Sequence, residues 1–155
     1  LCDIDGTVAD ITERRKKASI NNGSINWKMF NSIELLNTDK PRIDVINQVN
    51  EMKAKTGFEV IMVSGRSAAD ASDKDPELVL NWTINWLKSH GLNFDHVLMR
   101  KQNDFTPDDI LKEGFLKLVG GANNVHAVFD DRPKVIRMWN KHNVNVIDVG
   151  NGVEF

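Results

Sequence analysis

Two aspartates separated by one residue stand in the opening stretch "LCDIDGTVAD", and together they could bind a cation or attack phosphorus. Asp3 and Asp5 follow a short apolar run, and in an extended strand both side chains would point the same way. Two carboxylates held together repel, so one pKa rises unless a cation intervenes. Asp130 and Asp131, in "VFDDR", supply two further acids. Because hard divalent cations bind carboxylate oxygens, the four acids predict a Mg²⁺ site if they meet.

Several other residues are suited to holding a phosphoryl group. Ser64 can donate a hydrogen bond to a phosphate oxygen, Gly65 lets the main chain approach, and Arg66 offers a planar fork. Lys112 would add a point charge, and positioned cations are the main source of stabilisation for a phosphoryl transition state. An aspartate can form an aspartyl-phosphate, while a second acid protonates the leaving oxygen and later activates water. We therefore assign Asp3 as the nucleophile and Asp5 as the acid/base.

The elements that must position these residues follow from alternating helical and strand patterns. Helices are predicted at 40–57, 75–91, 106–121 and 133–143, where apolar residues recur at helical spacing between Pro and Gly signals. Pro41, Asp75 with Pro76, and Thr106 with Pro107 are predicted to begin three of these helices. Short β-branched runs predict strands at 58–66, 94–100, 124–132 and 144–150, and residues 1–4 end another. This alternation predicts an α/β fold, a Rossmann-like three-layer sandwich with a central parallel sheet.

In such sheets ligands bind outside the carboxyl ends of the strands. The polar clusters at 3–5, 64–66, 100–101 and 130–132 each follow a predicted strand, so all four are expected on one edge. The sequence thus predicts a single site assembled from four strand ends.

Composition fits one soluble domain covering residues 1–155. The net charge of -2 excludes a global basic field that would attract nucleic acid, so any polyanion contact must come from a local patch. No apolar run approaches the ~18 residues of a membrane span, and the single cysteine, Cys2, is expected to be a core residue. These features predict a protein of the cytoplasm that does not contact membranes.

Residues 8–40 are interpreted as a polar, irregular insertion, a small cap or flap with a short helix at 26–35 and a turn at 19–24. It is too short for a full lid domain, so we expect an open site that admits a polymer end. The basic run 14–17 could contact phosphates there, or could simply be a solvated face.

These motifs resemble the four signatures of the haloacid dehalogenase-like phosphatases. "DIDGT" is similar to the first, "VSGR" to the second, Lys112 to the third and "VFDDR" to the fourth. The resemblance implies an aspartyl-phosphate mechanism with Mg²⁺. It implies that Asp3, Asp130 and Asp131 hold the metal by their side chains and Asp5 by its main-chain carbonyl.

A closer resemblance is to the 3'-phosphatase domain of phage-type polynucleotide kinases, carried by "MRKQNDFTPDDILKE" and "FDDRPKVIRMW". It implies that Arg14, Arg66 and Asp108 matter for activity, and we place Thr7 with Gly65 among the substrate-binding residues. The implied substrate is a 3'-phosphorylated nucleic-acid end, in DNA or RNA repair.

The chain departs from that family in having no GxxxxGK[ST] loop, so we expect no kinase activity from it. A central strand needs about five residues, and fewer precede Asp3. We therefore expect the natural protein to continue upstream, by a few strand residues or by a whole kinase domain.

Two other functions stay open on the sequence. The chain could be a phosphatase for a small phosphomonoester such as a nucleotide, or a binding domain without turnover. Lys112 could be a solvated helix lysine paired with Asp108. The tryptophans could stack on bases, although their helical spacing favours core packing (Trp27, Trp82, Trp86, Trp139).

Overall fold

The protein is described by a computed structural model that covers residues 1–21, 23–69 and 74–154. The strands within these ranges are β1 Ala9–Asp10, β2 Lys40–Pro41, β3 Ile61–Ser67, β4 His96–Arg100, β5 Val128–Asp130 and β6 Val146–Asp148. The α-helices are α1 Thr12–Ala18, α2 Trp27–Phe30, α3 Ile33–Leu36, α4 Ile43–Thr56, α5 Leu78–Ser89, α6 Asp108–Leu118 and α7 Pro133–Lys141.

A parallel sheet runs through the centre of the fold. β3 pairs in parallel with β4, and β5 pairs in parallel with β6. Cys2 joins the two pairs through parallel bridges to Met62 on one side and Phe129 on the other. The order is therefore β4, β3, the segment around Cys2, β5, β6, which confirms the predicted α/β class with parallel strands. The layer arrangement of the helices stays a prediction.

The segment around Cys2 is buried on both sides, as its apolar residues require. Cys2, Ile4, Met62 and Phe129 are all buried. Burial raises the pKa of the Cys2 thiol, so it is neutral and serves as a core residue, as predicted. Because Cys2 lies at the centre of the sheet, the residues that follow it emerge at the middle of the carboxyl edge.

The long predicted helices form, but three of their predicted starts are wrong. Pro41 belongs to β2, opposite Ala9, and α4 begins at Ile43. α5 begins at Leu78, and Asp75 instead accepts a 2.9 Å hydrogen bond from the Glu77 N–H.

α6 also starts later than predicted. It begins at Asp108 after Pro107, with no side-chain cap from Thr106. In all three cases the residues predicted to start the helix are instead held by a strand pairing or by a turn hydrogen bond outside the helix.

Residues 8–40 are polar as predicted, but their interpretation as irregular is wrong, because they form three helices and two short strands. β1 and β2 form a two-residue antiparallel ladder at the base of the insertion, with Ala9 opposite Pro41 and Asp10 opposite Lys40. Between them lie α1, α2 and α3, which bury apolar residues (Ile11, Ala18, Phe30, Leu35, Leu36). The predicted turn at 19–24 includes Asn22, which lies outside the described residues.

The predicted helix at 26–35 is split in two. The Asn26 side chain accepts from Met29 N–H and the Ser32 hydroxyl accepts from Leu35 N–H, so each residue starts its own helix. The apolar spacing alone predicted one continuous helix, but Asn31 and Ser32 divide it into two.

A search of the ranges the structure covers found no helix of the length and apolarity that crossing a bilayer demands.

Candidate active site

The predicted site residues from the strand ends meet on one edge of the sheet. Lys112, on α6, donates hydrogen bonds of 2.7 Å to Asp3 Oδ1 and 2.9 Å to Asp130 Oδ2. Its side chain is only 3% exposed, so the reading of Lys112 as a solvated partner of Asp108 is wrong. A buried ammonium group therefore joins the first strand end to the end of β5.

Asp130 is held by four donors. Besides Lys112, the Trp139 Nε1–H donates to it at 3.1 Å, and the main-chain N–H groups of Asp131 and Arg132 donate at 3.0 and 3.2 Å. Trp139 is fully buried, as predicted for a core tryptophan, and it also orients this carboxylate. A fully satisfied buried carboxylate is a rigid one.

The carboxylates of Asp3, Asp130 and Asp131 form a cluster whose oxygens lie within 4.8 Å of one another. Burial, together with the Asp130 charge, raises the pKa of Asp3 well above its usual value and that of Asp131 to about 6. Three buried carboxylates face one ammonium group, so the cluster carries excess negative charge. An all-oxygen donor set with this excess fits a hard divalent cation.

Thr7 and Gly6 shape the turn beside this cluster. The Thr7 hydroxyl lies 3.2 Å from both Asp3 Oδ2 and Asp131 Oδ1. Gly6 has a φ of 88°, and a Cβ there would collide with the Asp131 carboxylate. The Gly-Thr pair thus allows two acids to approach a tight turn.

Asp5 lies apart from the acid cluster and contacts two arginines. Arg14, from α1, and Arg66, from β3, both bind its Oδ1. Burial alone would raise the pKa of Asp5, but these two guanidinium groups hold it well below the usual range. The Asp5 side chain is therefore ionised and paired with two cations, and it is not part of the cluster of Asp3, Asp130 and Asp131.

Asp39 is a member of this network that the sequence did not indicate. Arg14 Nε lies 2.9 Å from Asp39 Oδ1, and Arg66 donates a 3.1 Å hydrogen bond to Asp39 Oδ2. Burial and the Asp5 charge raise the pKa of Asp39 to about 7. Its only sequence signal is a lone acid next to β2, and the pairing of β2 with β1 is what carries it to the site.

The two arginines are held by their own surroundings as well. The Arg14 guanidinium lies 4.2 Å from the Phe30 ring centre, and Arg66 donates a 2.9 Å hydrogen bond to Thr83 Oγ1. Both side chains are fully buried. In the basic run 14–17, Arg14 thus faces the site, whereas Lys16 and Lys17 are exposed.

Ser64 and Gly65 lie within β3, in the half toward its carboxyl end, and not after the strand as expected. The register with β4 shifts between Ser64 and Ser67, which marks a bulge next to the site. The buried Ser64 hydroxyl accepts a 3.1 Å hydrogen bond from the Arg66 N–H. A Cβ at Gly65 would collide with the Asp108 carboxylate, so only glycine lets α6 approach.

Asp108 is bound by two arginines that belong to polar clusters predicted on this edge of the sheet, although neither was given a role there. Arg100 contacts Asp108 Oδ1, and Arg132 contacts Oδ2. Arg100 also donates a 2.7 Å hydrogen bond to the Gly65 carbonyl. Arg100 ends β4 and Arg132 follows the acid pair after β5, and these positions were the available signal. These contacts fix the start of α6, whose next turn carries Lys112.

The remaining tryptophans differ from one another. Trp86 packs partly buried against the core, whereas Trp27 is 61% exposed, so core packing is wrong for Trp27. Trp82 is half-buried, and the Arg66 guanidinium lies 5.7 Å from its ring centre.

A parallel α/β sheet, paired aspartates after a central strand, a buried lysine and a second acid pair together define a haloacid dehalogenase-like phosphatase domain. Comparison with known proteins narrows this class. Residues 1–153 match the family described as "Polynucleotide kinase PNKP phosphatase domain". The chain belongs to that family, and it is therefore a phosphatase domain of the polynucleotide kinase type.

The relatives it matches are longer proteins. The chain is 31% identical over 141 residues to a "Putative bifunctional polynucleotide kinase/RNA ligase" of Autographa californica nuclear polyhedrosis virus. That match covers 90% of this chain and 17% of the relative.

Solved structures share the fold. A chain of the Pnkp1/Rnl/Hen1 complex superposes with a TM-score of 0.69 at 23% identity, covering 98% of this chain and 45% of its own. A chain of the Pnkp1/Rnl/Hen1 RNA repair complex gives 0.68 at 24% identity, covering 97% and 42%.

Proposed function

We propose that this domain is a Mg²⁺-dependent polynucleotide 3'-phosphatase that acts through an aspartyl-phosphate on Asp3. The observation that carries the proposal is the buried Lys112 bridge between Asp3 and Asp130, with Asp131 beside it and an arginine pair on Asp5. Phosphoryl transfer needs cations that bind the phosphate oxygens and a nucleophile in line with the leaving oxygen. The lysine and arginines would supply the first, and the Asp3 carboxylate would supply the second.

The residues that would hold Mg²⁺ are Asp3, Asp130 and Asp131, together with the main-chain carbonyl of Asp5. When bound, the ion would neutralise charge on the phosphoryl oxygens. The excess negative charge of the carboxylate cluster supports this assignment.

The chemistry requires two displacements at phosphorus. First, an Asp3 oxygen attacks, an Asp3–phosphorus bond forms, and the bond from phosphorus to the 3'-oxygen breaks while Asp5 protonates that oxygen. Then water attacks phosphorus, Asp5 accepts its proton, and the Asp3–phosphorus bond breaks to release inorganic phosphate. Lys112 holds the Asp3 carboxylate in place through both steps, and Ser64 donates to a phosphoryl oxygen.

Asp5 must gain a proton before it can donate one. In the substrate-free domain its pKa is held low by Arg14 and Arg66. An incoming phosphate dianion competes for those guanidinium groups, and as they turn toward it the pKa of Asp5 rises. Substrate binding thereby converts Asp5 into a general acid.

A nucleic-acid end is the proposed substrate for three reasons. The family is that of polynucleotide kinase phosphatase domains. The insertion at 8–40 consists of three short helices and a two-residue ladder, which is too little to enclose the site as a full lid domain would. The viral relative is described as a putative bifunctional polynucleotide kinase/RNA ligase, so we place this domain beside kinase and ligase activities in end repair.

A panel of substrates tests the proposal. The domain is incubated with a 3'-phosphorylated oligonucleotide in DNA and RNA form, with a 3'-mononucleotide and with p-nitrophenyl phosphate, each with and without Mg²⁺. We expect Mg²⁺-dependent phosphate release from the oligonucleotide. Release from the mononucleotide alone would instead identify a small-molecule phosphatase, and release from none would identify a binding domain.

A further inference from the structure

Phe105 is the most exposed large apolar side chain among those the structure describes. Its exposed fraction is 89%, compared with 61% for Trp27 and 55% for Phe58. Leaving a phenylalanine in water forgoes the stability that burial gives. A phenylalanine ring that is 89% exposed is accessible to a ligand, and the contacts of its loop relate it to the site.

The loop that carries Phe105 connects β4 to α6, on the edge of the sheet where the site lies. Arg100, the last residue of β4, donates hydrogen bonds to the main-chain carbonyls of Asp104 and Thr106, which flank Phe105. The same guanidinium contacts Gly65 and Asp108. Phe105 is thus fixed to the residues of the site by a single side chain.

Exposure alternates along this loop. Gln102, Asp104 and Thr106 are half-buried against the domain, whereas Lys101, Asn103 and Phe105 face solvent. The Thr106 N–H donates a 2.9 Å hydrogen bond to Asp104 Oδ1, which tightens the turn beneath the ring. The loop therefore presents the aromatic ring and a lysine outward from a braced main chain.

Phe105 lies close in the chain to the α6 residues that belong to the site. Asp108 and Lys112 lie one turn apart on α6, and Lys112 contacts Asp3. Phe105 lies in the extended loop three residues before Asp108, and Arg100 holds its neighbours Asp104 and Thr106 beside the same Asp108. This position suits a terminal nucleotide whose 3'-phosphate is at Asp3 and whose base reaches toward the loop.

We infer that Phe105 is a stacking platform for the base of the 3'-terminal nucleotide of a single-stranded end. This inference rests on the proposed function and names the feature of the substrate that the site would read. Bases of every type stack on an aromatic ring, so the platform favours an unpaired end over a small phosphomonoester without selecting sequence.

Four variants and three substrates test the inference. Phe105→Ala removes the ring, Phe105→Leu keeps apolar bulk without a ring, and Phe105→Trp keeps a ring. Phe58→Ala is the matched control, because Phe58 is an exposed aromatic at the start of the segment leading into β3, away from the carboxyl edge. The substrates are a 3'-phosphorylated single strand, the same strand with an abasic 3'-terminal residue, and p-nitrophenyl phosphate.

Phe105→Ala is expected to raise KM for the intact strand by roughly 5- to 150-fold, the range that stacking energies give, with little change in kcat. Phe105→Leu should lose most of the same effect, and Phe105→Trp should retain wild-type KM. On the abasic strand the variants should match the wild type, because no base is present to stack. Thermal unfolding should be unchanged in all four.

Two results would overturn the inference, and they are distinguishable. If the wild type turns over the oligonucleotide and Phe105→Ala does so with the same KM, the platform is wrong while the proposed function stands. If the wild type releases phosphate only from p-nitrophenyl phosphate, the proposed function fails and the platform with it.

Discussion

Lys112 and Asp3 are separated by 109 positions in the chain, yet the ammonium nitrogen of Lys112 lies 2.7 Å from Asp3 Oδ1. Burial alone would lower the pKa of Lys112, but the charges of Asp3 and Asp130 raise it, so the ammonium form is held. One cation therefore compensates a cluster of buried acids and also orients the proposed nucleophile.

Replacement of Lys112 should affect both stability and turnover. Lys112→Met leaves buried carboxylates uncompensated, so unfolding free energy should fall by about 3–5 kcal/mol. Added Mg²⁺ should restore more of this loss than it adds to the wild type. Urea unfolding with and without Mg²⁺ measures both effects, and Lys117→Met, at an exposed lysine on α6, is the control. An equal response to Mg²⁺ in both proteins would contradict the shared role of Lys112 and the cation.

Asp3→Asn should abolish turnover without unfolding the protein. An amide cannot form the aspartyl-phosphate, so kcat should drop by on the order of 10³-fold or more. Because burial raises the pKa of Asp3, its charge costs stability, and the neutral amide should leave the melting temperature in EDTA equal or higher. Asp10→Asn, at an exposed acid of β1, is the control. Full activity in Asp3→Asn would remove Asp3 as the nucleophile.

Metal binding should depend on Asp131 and on pH. Mg²⁺ at 100 times its Kd should stabilise the domain by about 2.7 kcal/mol, seen as a rise in melting temperature. Since the pKa of Asp131 is raised to about 6, protons should compete with the metal, and this stabilisation should weaken as pH falls below about 6. Asp131→Asn should lose most of the response, whereas Asp44→Asn, at an exposed acid, should keep it. A wild-type response retained in Asp131→Asn would exclude it as a ligand.

Asp39 should make stability depend on pH near neutrality. Its pKa is raised to about 7 in the folded protein, so between about pH 4 and 7 the folded state binds a proton that the unfolded state has lost. Unfolding free energy should therefore fall as pH rises through this window, by on the order of 2–4 kcal/mol.

The Asp39 effect is isolated by difference. In Asp39→Asn the group cannot titrate, so the decline from pH 5 to pH 8 should be shallower than in the wild type. Chemical unfolding of both proteins in EDTA at the two pH values measures it, with Asp44→Asn expected to follow the wild type. Parallel slopes for Asp39→Asn and wild type would show that Asp39 is ionised throughout.

Arg14→Lys should reduce oligonucleotide turnover although it keeps the charge. A lysine has one nitrogen, whereas Arg14 contacts Asp5 and Asp39 with different nitrogens of one fork. We expect kcat/KM to fall by roughly 10- to 100-fold, about 1.4–2.7 kcal/mol. Lys16→Ala, an exposed neighbour on the same helix, should be unchanged. If Arg14→Lys retains full turnover, the fork is not needed.

The sequence could predict that Asp3 and Asp130 meet, because both lie next to strand ends that share one edge of a parallel sheet. Lys112 was a candidate from its place one turn into a helix, and the structure brings it into contact with both acids. Helix starts were less predictable. Pro41 carries a helix-start signal, but its tertiary pairing with Ala9 decided the outcome.

The presence of Asp39 in the site and the contacts that Arg100 makes could not be predicted from local pattern. Asp39 enters the site because β1 and β2 pair across thirty positions of insertion, and no residue near Asp39 signals that pairing. Arg100 donates hydrogen bonds to main-chain carbonyls of the loop after β4, and these bonds themselves hold the loop in shape. Both depend on contacts that exist only once the chain has folded.

The two-residue ladder of β1 and β2 has an evolutionary consequence. Because Ala9 and Asp10 lie opposite Pro41 and Lys40, the insertion leaves and rejoins the domain at one point. A segment with adjacent ends can be exchanged for another of different length without moving the sheet. Within this one, Arg14 and Asp39 are the side chains that reach the arginine–carboxylate network. The helices of the insertion also pack apolar residues into the core that contains Cys2 and Met62, so a replacement would have to cover this core as well as supply the two charges.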